Sequence, residues 1–320
     1  MDSEQARMEQ ALKERPELGR YNLAKAAGVT ENIARLYLNK ARYPQTAPKG
    51  KVDESPKSSS DPFDNLSADE KKLILKSLRS SSPTEPQNFE WTRESFKFAA
   101  MGDTHMGHIE SKLEHWRRAC DLIWQENCDV VLHTGDITEG MSGREGHIYE
   151  LEAIGATAQL DLAENRFKLL PCDIYALNGN HDLWGFKRLG LDIAQSLAGR
   201  LPNFHNLGMH EADFPVGPLS IKLWHGEDGA SYATSYRTQK FIEGLSGGEK
   251  PNILLAGHDH KSIFHMCRNV AAFGTGTLCG QTMWMRNKKL AAHVGFWIIE
   301  VFFNESGIER LKSEWIPFFK

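Results

Sequence analysis

Five short stretches of this 320-residue chain each place metal-ligating side chains beside a glycine. The stretches are Asp103-Thr104-His105, Gly135-Asp136, Gly179-Asn180-His181-Asp182, His225-Gly226 and Gly257-His258-Asp259-His260. Each of them follows a short apolar run that is typical of a buried strand. Because the carboxyl ends of parallel strands meet at one edge of a sheet, we expect these side chains to converge on one point.

From Phe96 onward the sequence alternates strand-like runs, loops and helical segments, which predicts an α/β layered domain. Strands are predicted over 96–101, 130–132, 174–177, 219–224 and 253–256, and helices over 112–125 and 147–170. The later segments around Val270, Phe296 and Ile308 favour strands with no helix between them. The site is therefore expected beyond the carboxyl ends of the strands.

Composition divides the chain into three parts. Residues 1–42 are rich in Ala, Leu, Arg and Glu and predict a small all-α module. Residues 43–92 are dominated by Pro, Ser, Lys and Asp, which is a linker composition, with one short helix in its second half. Residues 93–320 form the α/β domain.

The bulk properties restrict the class of protein. A net charge of −4 argues against a chain that is basic throughout, while leaving room for a local basic patch. The first residues are polar, and no apolar run approaches the roughly 20 residues of a membrane span. The five cysteines form no CxxC pair. We therefore expect a cytoplasmic protein that does not contact membranes.

The residue types in the five stretches suit divalent cations. Carboxylate, amide-oxygen and imidazole ligands are those that Mn, Fe, Zn and Ni ions accept. An Asp-x-His pair on a loop leaving a strand places both side chains on one side, and a further carboxylate can bridge two ions. Two ions roughly 3.5–4 Å apart activate water and hold a phosphoryl group for in-line attack. The sequence predicts two divalent ions, with Mn²⁺ favoured over Fe, Zn and Ni.

Together and in this order, the five stretches resemble the motifs of the calcineurin-like metallophosphoesterase superfamily, over residues 96–303. The resemblance implies a four-layer α/β/β/α sandwich. It also implies two metal positions that share the bridging carboxylate of Asp136. The implied ligands are Asp103, His105 and His260 for one ion, and Asn180, His225 and His258 for the other.

The resemblance implies catalytic roles for two further residues. His181 would lie beside the ions and either stabilise the pentacoordinate phosphorus or protonate the leaving oxygen. Asp182 would orient His181 through its second ring nitrogen.

Three other segments, residues 224–232, 248–258 and 290–297, are similar to metallophosphoesterases of phages and prophages. Those proteins are described as nucleases or phosphatases, so the resemblance implies chemistry better than substrate. The principal hypothesis is a phosphodiesterase that acts on DNA. The alternatives are a phosphomonoesterase or small-nucleotide phosphodiesterase, and a DNA-binding regulatory protein with an inert phosphoesterase domain. The intact ligand set, with His181 and Asp182 present, argues against the inert protein.

One position departs from a related nuclease. The nuclease subunit of the double-strand-break repair complex carries a histidine three residues after the bridging aspartate, where this chain has Glu139. A glutamate near phosphate repels it unless the carboxyl is protonated or paired. His147 could substitute for that histidine, and a solvated loop histidine is the alternative. Glu139, His108 and Arg144 are the candidate substrate contacts.

The N-terminal segment 23–35 resembles a helix-turn-helix. Gly28 would supply its left-handed turn. The second helix would present side chains that can read base edges or contact phosphate. These candidate DNA contacts are Asn32, Arg35, Asn39 and Lys40. A helical hairpin for protein contacts is the alternative.

The tail from Trp315 to Phe319 favours packing on the domain, with a homodimer contact as the alternative.

Overall fold

A computed structural model of the chain describes residues 93–227 and 233–318, together with Trp91, Ser231 and parts of the N-terminal segment (6–7, 10–11, 13 and 25–29). The chain divides into two units, residues 1–65 and 66–320. The strands of the second unit are β1 Ser95–Met101, β2 Val130–His133, β3 Asp173–Asn178, β4 Phe204–Met209, β5 Glu211–Val216, β6 Leu219–His225, β7 Ile253–Gly257, β8 Ser262–Cys267, β9 Val270–Thr275, β10 Gly295–Asn304 and β11 Gly307–Pro317.

The helices of this unit are α1 Leu113–Gln125, α2 Ala156–Phe167, α3 Leu183–Leu189, α4 Ile193–Arg200, α5 Tyr236–Gly244 and α6 Met283–Lys288. A short 3₁₀ helix spans His147–Glu150. Among the residues that the structure describes, no helix is long and apolar enough to cross a membrane.

The strands form two sheets. The six-stranded sheet has the order β11-β10-β1-β2-β3-β4, in which β1 to β4 run parallel. The five-stranded sheet has the order β5-β6-β7-β9-β8, in which β6, β7 and β9 run parallel. Each parallel group therefore sends the carboxyl ends of its strands to a single edge of its sheet.

Side chains of β1 alternate between two hydrophobic cores. Phe96 and Phe98 pack between the two sheets, whereas Ala99 and Met101 face the core that contains α1, α2 and α4. A third cluster lies on the outer face of the five-stranded sheet, where Ile242 of α5 is buried. The layers are therefore helix, sheet, sheet and helix, and the predicted α/β/β/α sandwich is confirmed.

Two elements differ from the sequence-based prediction. The long helix expected over 147–170 is wrong, because the chain forms the 3₁₀ helix and then α2. Between them Leu151 pairs with His108 in an isolated bridge, and Gly155 has a positive φ of 91°, a backbone conformation that favours glycine and interrupts a helix. In addition, α6 lies between β9 and β10, where no helix was expected.

Little of the predicted N-terminal module falls on described residues. Lys25–Ala27 are helical, and Gly28 has the left-handed conformation that was predicted, with φ of 63°. The candidate DNA contacts lie outside the described residues, namely Asn32, Arg35, Asn39 and Lys40. The predicted linker also lies outside them, apart from Trp91.

The C-terminal tail packs on the domain. The ring centroids of Trp315 and Trp297 lie 5.4 Å apart, and Phe318 is buried in the core on the helix side of the six-stranded sheet. The packing predicted for the tail is confirmed as far as Phe318.

Candidate metal centre

The five ligand-bearing stretches lie at the carboxyl ends of five strands. Those of the six-stranded sheet follow β1, β2 and β3, and those of the five-stranded sheet end β6 or follow β7. The structure brings these side chains together as three overlapping groups, within each of which the ligand atoms lie no more than 4.8 Å apart. The groups are Asp103, His105 and His260; His105, Asp136 and His181; and Asp136, His225 and His258.

The first position lies among Asp103, His105 and His260. Asp103 Oδ1 is 3.5 Å from His260 Nε2, which is in turn 3.0 Å from His105 Nε2. His105 Nδ1 lies 2.8 Å from Glu139 Oε2 and donates to it, so a neutral His105 directs the lone pair of Nε2 at His260. Two ring nitrogens and a carboxylate oxygen at these distances form a donor set that suits a divalent cation.

The second position lies among Asn180, His225 and His258. His225 donates through Nδ1 to the carbonyl of Thr134 at 2.9 Å, which turns its Nε2 toward Asn180 Oδ1 at 3.0 Å. His258 Nδ1 lies 2.8 Å from the same amide oxygen. These donor atoms also suit a divalent cation.

Asp136 lies between the two positions. Its Oδ2 is 3.8 Å from His105 Nε2 and 3.3 Å from His225 Nε2, while its Oδ1 accepts from the His181 amide at 2.8 Å. The carboxylate therefore faces both positions and would be able to bridge two ions. The carboxylate, amide and imidazole set fits two divalent ions.

The backbone at the ligands is unusual. Five of them have positive φ, a conformation that L-residues adopt rarely and at an energetic cost. They are Asp103 (51°), His105 (44°), Asp136 (53°), His258 (81°) and His260 (57°). Because such conformations persist only where the surroundings impose them, the fold itself fixes the ligand directions.

Glycines accompany the ligands because the strand ends approach closely. A methyl group at Gly179 would overlap the carboxylate and the amide nitrogen of Asp136, and would lie 2.7 Å from His225 Cε1. Gly135 has φ of 103°, and a methyl group there would lie 2.9 Å from His225 Nδ1. A side chain at either position would displace a ligand.

We expect Gly179→Ala to lower kcat/KM by about 100-fold or more, since a displacement of about 1 Å at a reacting centre can cost that much. The variant should also retain less metal after dialysis, as measured by elemental analysis. Gly143→Ala is the matched control, because Gly143 has nothing within 4 Å of the added methyl group. Equal activity of the two variants would contradict the close approach at Gly179.

His181 and Asp182 are arranged differently from the expectation. His181 Nδ1 donates to the carbonyl oxygen of Glu139 at 2.7 Å, and its side chain faces the cavity beside the ligands. The carboxylate of Asp182 accepts instead from the amides of Ile137, Thr138 and Gly179 at 2.8–2.9 Å. Buried amides need acceptors, and Asp182 supplies them. Asp182 thus positions the Asp136 loop, and the predicted Asp182–His181 contact is wrong.

The three candidate substrate contacts all line the cavity, but each has a protein partner. Both carboxylate oxygens of Glu139 are occupied by histidines. The His108 ring accepts from the Glu110 amide at 3.0 Å, and its Nε2 lies 3.5 Å from Glu150. Arg144 forms a two-point ion pair with Glu150.

The electrostatics of the ligands reflect their burial beside one another. Burial alone would lower the pKa of His105, but the hydrogen bond and charge of Glu139 and the charges of Asp136 and Asp103 raise it to about 9. Burial would also lower the pKa of His225, yet the same two aspartates raise it to about 9. Burial raises the pKa of Asp103 to about 7. Protons therefore occupy the site when no cation does.

This arrangement predicts opposite pH trends with and without metal. A histidine with a raised pKa stabilises the fold fully below its ordinary pKa of about 6.5, and that stability is lost as pH rises toward 9. The metal-free protein should therefore melt at a lower temperature at pH 8.5 than at pH 6.5. Because Mn²⁺ competes with these protons, the Mn²⁺-induced increase in Tm should be larger at pH 8.5. Calorimetry at both pH values measures both trends, and an equal increase at both would contradict the assignment.

A cavity of about 490 Å³ opens beside the ligands. Four residues that were not among the candidate substrate contacts also line this cavity, namely Arg237, Lys261, Trp284 and Met285. Arg237 is buried on α5, and Trp284 lies on the unexpected helix α6. No motif marks either residue. Both residues reach the cavity only because the tertiary fold places helices α5 and α6 beside it.

Comparisons with known proteins identify the fold. Residues 96–262, more than half of the chain, match the calcineurin-like phosphoesterase family. No curated protein matches the sequence significantly.

Solved structures are similar at low sequence identity. They include an archaeal phosphodiesterase (16% identity, TM-score 0.43, covering 69% of this chain and 100% of that one). The phosphoesterase Yfce of E. coli is 14% identical with a TM-score of 0.41, covering 68% of this chain and 98% of that one. Vps29 of Entamoeba histolytica, complexed with Zn²⁺, is 13% identical with a TM-score of 0.39, covering 70% and 100%.

The family match and the ligand geometry lead to one conclusion. The chain belongs to the calcineurin-like phosphoesterase family and is a metal-dependent phosphoesterase.

Proposed function

We propose that this phosphoesterase hydrolyses phosphodiester bonds in DNA, as a nuclease of the phage and prophage type, with two Mn²⁺ ions. The observation that carries the proposal is the composition of the cavity beside the ligands, which joins cationic side chains to an exposed tryptophan. Phosphate groups and an unpaired base would each find a suitable surface there.

The cationic side of the cavity suits a phosphate backbone. Arg144, Arg237 and Lys261 line it together with the metal ligands. Arg144 is oriented by its ion pair with Glu150, and Arg237 Nη1 lies 3.6 Å from Asp259 Oδ2. A guanidinium group that is already oriented binds phosphate at a smaller entropic cost.

The apolar side of the cavity suits a base. Trp284, Met285 and Leu290 line it, and Trp284 is 43% exposed. An exposed indole stacks on any base whose face is free, which contributes about 1–3 kcal/mol. Since paired bases inside a duplex have no free face, the proposal favours single strands or frayed duplex ends as substrates.

The chemical step divides between the ions and the protein. Two divalent ions held by these ligands would supply an activated water and neutralise charge on the phosphate. Asp136 holds the two positions together, and Asp182 holds the Asp136 loop. His181 Nδ1 donates to the Glu139 carbonyl, so Nε2 is the nitrogen that is left to act on the leaving oxygen, and it can give that oxygen a proton when the ring is a cationic imidazolium.

We further infer that the N-terminal segment holds DNA through Asn32, Arg35, Asn39 and Lys40. Phosphate contacts by Arg and Lys would raise affinity without adding base specificity. Arg35→Ala in the full chain should weaken duplex binding while leaving hydrolysis of bis-p-nitrophenyl phosphate unchanged. Unchanged affinity for duplex DNA, measured by fluorescence anisotropy, would remove this role.

The C-terminal tail is also a candidate homodimer contact. Measuring the mass of the protein in solution by light scattering would test whether it forms a homodimer.

The size of the cavity favours a second candidate. Pockets of about 300–1,000 Å³ are typical of small-molecule sites, and a single nucleotide fits within that range. The protein could then be a small-nucleotide phosphodiesterase or a phosphomonoesterase, with the Trp284 side of the cavity holding the base.

One substrate panel separates the candidates. With Mn²⁺ we expect hydrolysis of bis-p-nitrophenyl phosphate and a higher kcat/KM on single-stranded DNA than on duplex DNA. A higher kcat/KM on cyclic mononucleotides or phosphomonoesters than on any DNA would favour the second candidate. Repeating the panel with Fe²⁺, Zn²⁺ and Ni²⁺ tests the proposed metal. No hydrolysis of any substrate with Mn²⁺ or with these three ions would exclude both candidate functions.

A further inference from the structure

Glu139 and His147 form a buried chain that ends at a metal ligand. Glu139 Oε2 is 2.8 Å from His105 Nδ1, and Glu139 Oε1 is 2.7 Å from His147 Nε2. His105 and His147 are each 3% exposed, and Glu139 is 8% exposed. The ring of His147 therefore reaches the metal position only through the carboxylate of Glu139.

The hydrogen bonds of His147 determine which of its nitrogens carries the proton. The backbone amide of Ser142 donates to His147 Nδ1 at 3.2 Å, so Nδ1 must present a lone pair. The proton of the neutral ring is then on Nε2, from which it is donated to Glu139 Oε1. A left-handed Gly146 with φ of 79° precedes His147 and begins the 3₁₀ helix that holds the ring in place.

Glu139 passes the constraint from His147 to the metal ligand His105. With Oε1 occupied by His147, Oε2 is the oxygen that accepts the Nδ1 proton of His105. His105 is then fixed in the tautomer whose Nε2 lone pair points at His260, 3.0 Å away.

The other metal position does not depend on the hydrogen bonds that link His147, Glu139 and His105. His225 receives its orientation from a backbone carbonyl, that of Thr134 at 2.9 Å. A change at His147 should therefore affect the ion beside His105 and leave the ion beside His225 in place.

We propose that His147 is a positioning residue that, through Glu139, fixes the orientation and tautomer of His105 and so sets the affinity of one of the two metal positions. This inference rests on the proposed two-metal function. Loss of a hydrogen-bonding partner behind a metal ligand typically costs about 10–100-fold in metal affinity.

The test measures Mn²⁺ binding directly in the full-length protein, by equilibrium dialysis with elemental analysis over a range of free Mn²⁺. Wild type should bind two ions. His147→Ala should bind one ion as wild type does and the other about 10–100-fold more weakly. His147→Gln, whose amide can donate to Glu139 Oε1, should recover most of the lost affinity. His205→Ala is the matched control, since His205 faces Asp173 at 3.7 Å on β4, outside the ligand groups.

Kinetics provide a second measurement. At low Mn²⁺ the kcat of His147→Ala should fall, and excess Mn²⁺ should restore it, with KM unchanged throughout. A raised KM that Mn²⁺ does not restore, with both ions bound normally, would instead make His147 a substrate contact and overturn the proposal.

Glu139→Gln is a second variant for the same Mn²⁺-binding measurement, to be used if His147→Ala does not fold. A glutamine has one accepting and one donating end, so it cannot accept from both rings, and it should weaken the same single ion. Two wild-type affinities in this variant, or equal weakening of both ions, would overturn the proposal. A wild-type protein that binds no Mn²⁺ would instead contradict the proposed function.

Discussion

His181→Ala should lower kcat on DNA by about 10²–10⁴-fold, the usual contribution of a positioned proton donor. Both ions should remain bound, because each of the two positions has three other candidate ligands and Nδ1 of His181 is committed to the Glu139 carbonyl. The measurements are single-turnover hydrolysis and metal content after dialysis.

The choice of leaving group separates the two roles that the family implies for His181. p-Nitrophenolate is a good leaving group and needs little protonation, so a proton donor predicts a much smaller loss on bis-p-nitrophenyl phosphate than on DNA. A similar loss on both substrates would mean that His181 stabilises charge on the phosphorus. Wild-type kcat on both would remove His181 from the mechanism.

Asp136→Asn should lower kcat/KM by about 10³-fold or more. Bridged ions contribute several kcal/mol to charge stabilisation, and each 1.4 kcal/mol corresponds to a factor of ten. The side-chain amide of the asparagine would place an N–H group at the position of Asp136 Oδ2. That oxygen lies 3.3 Å from His225 Nε2 and 3.8 Å from His105 Nε2. The bound metal should fall below two ions per chain by elemental analysis.

Asp161→Asn is the control for the loss of a carboxylate, because Asp161 pairs with Arg200 on the surface, 58% exposed. It should retain full activity and two ions. Two tightly bound ions in Asp136→Asn would show that the carboxylate does not bridge them.

The layers and the position of the site could be predicted because they follow from local patterns. Each ligand stretch directly follows a strand, and a strand buried on both faces has a continuous apolar sequence, as in Val130 to Leu132. Once the strands are parallel, their ends must meet. The glycines beside the ligands are needed because the strand ends come close together, as at Gly179, where no side chain fits.

The partners of the ligands could not be predicted, because they depend on how loops fold back over long sequence distances. Glu139 contacts His105, 34 residues earlier, and its other oxygen is taken by His147 of the 3₁₀ helix. Asp182 lies beside His181 in sequence, yet its carboxylate turns toward amides 44 and 45 residues away. Its position next to His181 suggested that histidine as the partner of Asp182. The buried amides of Ile137 and Thr138 need acceptors, and Asp182 accepts from them instead.

The break between the 3₁₀ helix and α2 has a similar cause. The apolar periodicity of residues 147–170 is compatible with one helix, but Glu150 and Leu151 pair with Ile109 and His108 near the site. These tertiary contacts override the local helical preference.

Each metal position draws ligands from both sheets. Asp103 and His105 follow a strand of the six-stranded sheet, whereas His260 follows a strand of the five-stranded sheet; Asn180 is likewise opposed by His225 and His258. An ion at either position therefore ties the two halves of the sandwich together at one rim. Chelation would accordingly do more than stop turnover: it would remove a cross-link at that rim and leave the two sheets joined there by direct hydrogen bonds alone, such as that from His225 Nδ1 to the Thr134 carbonyl.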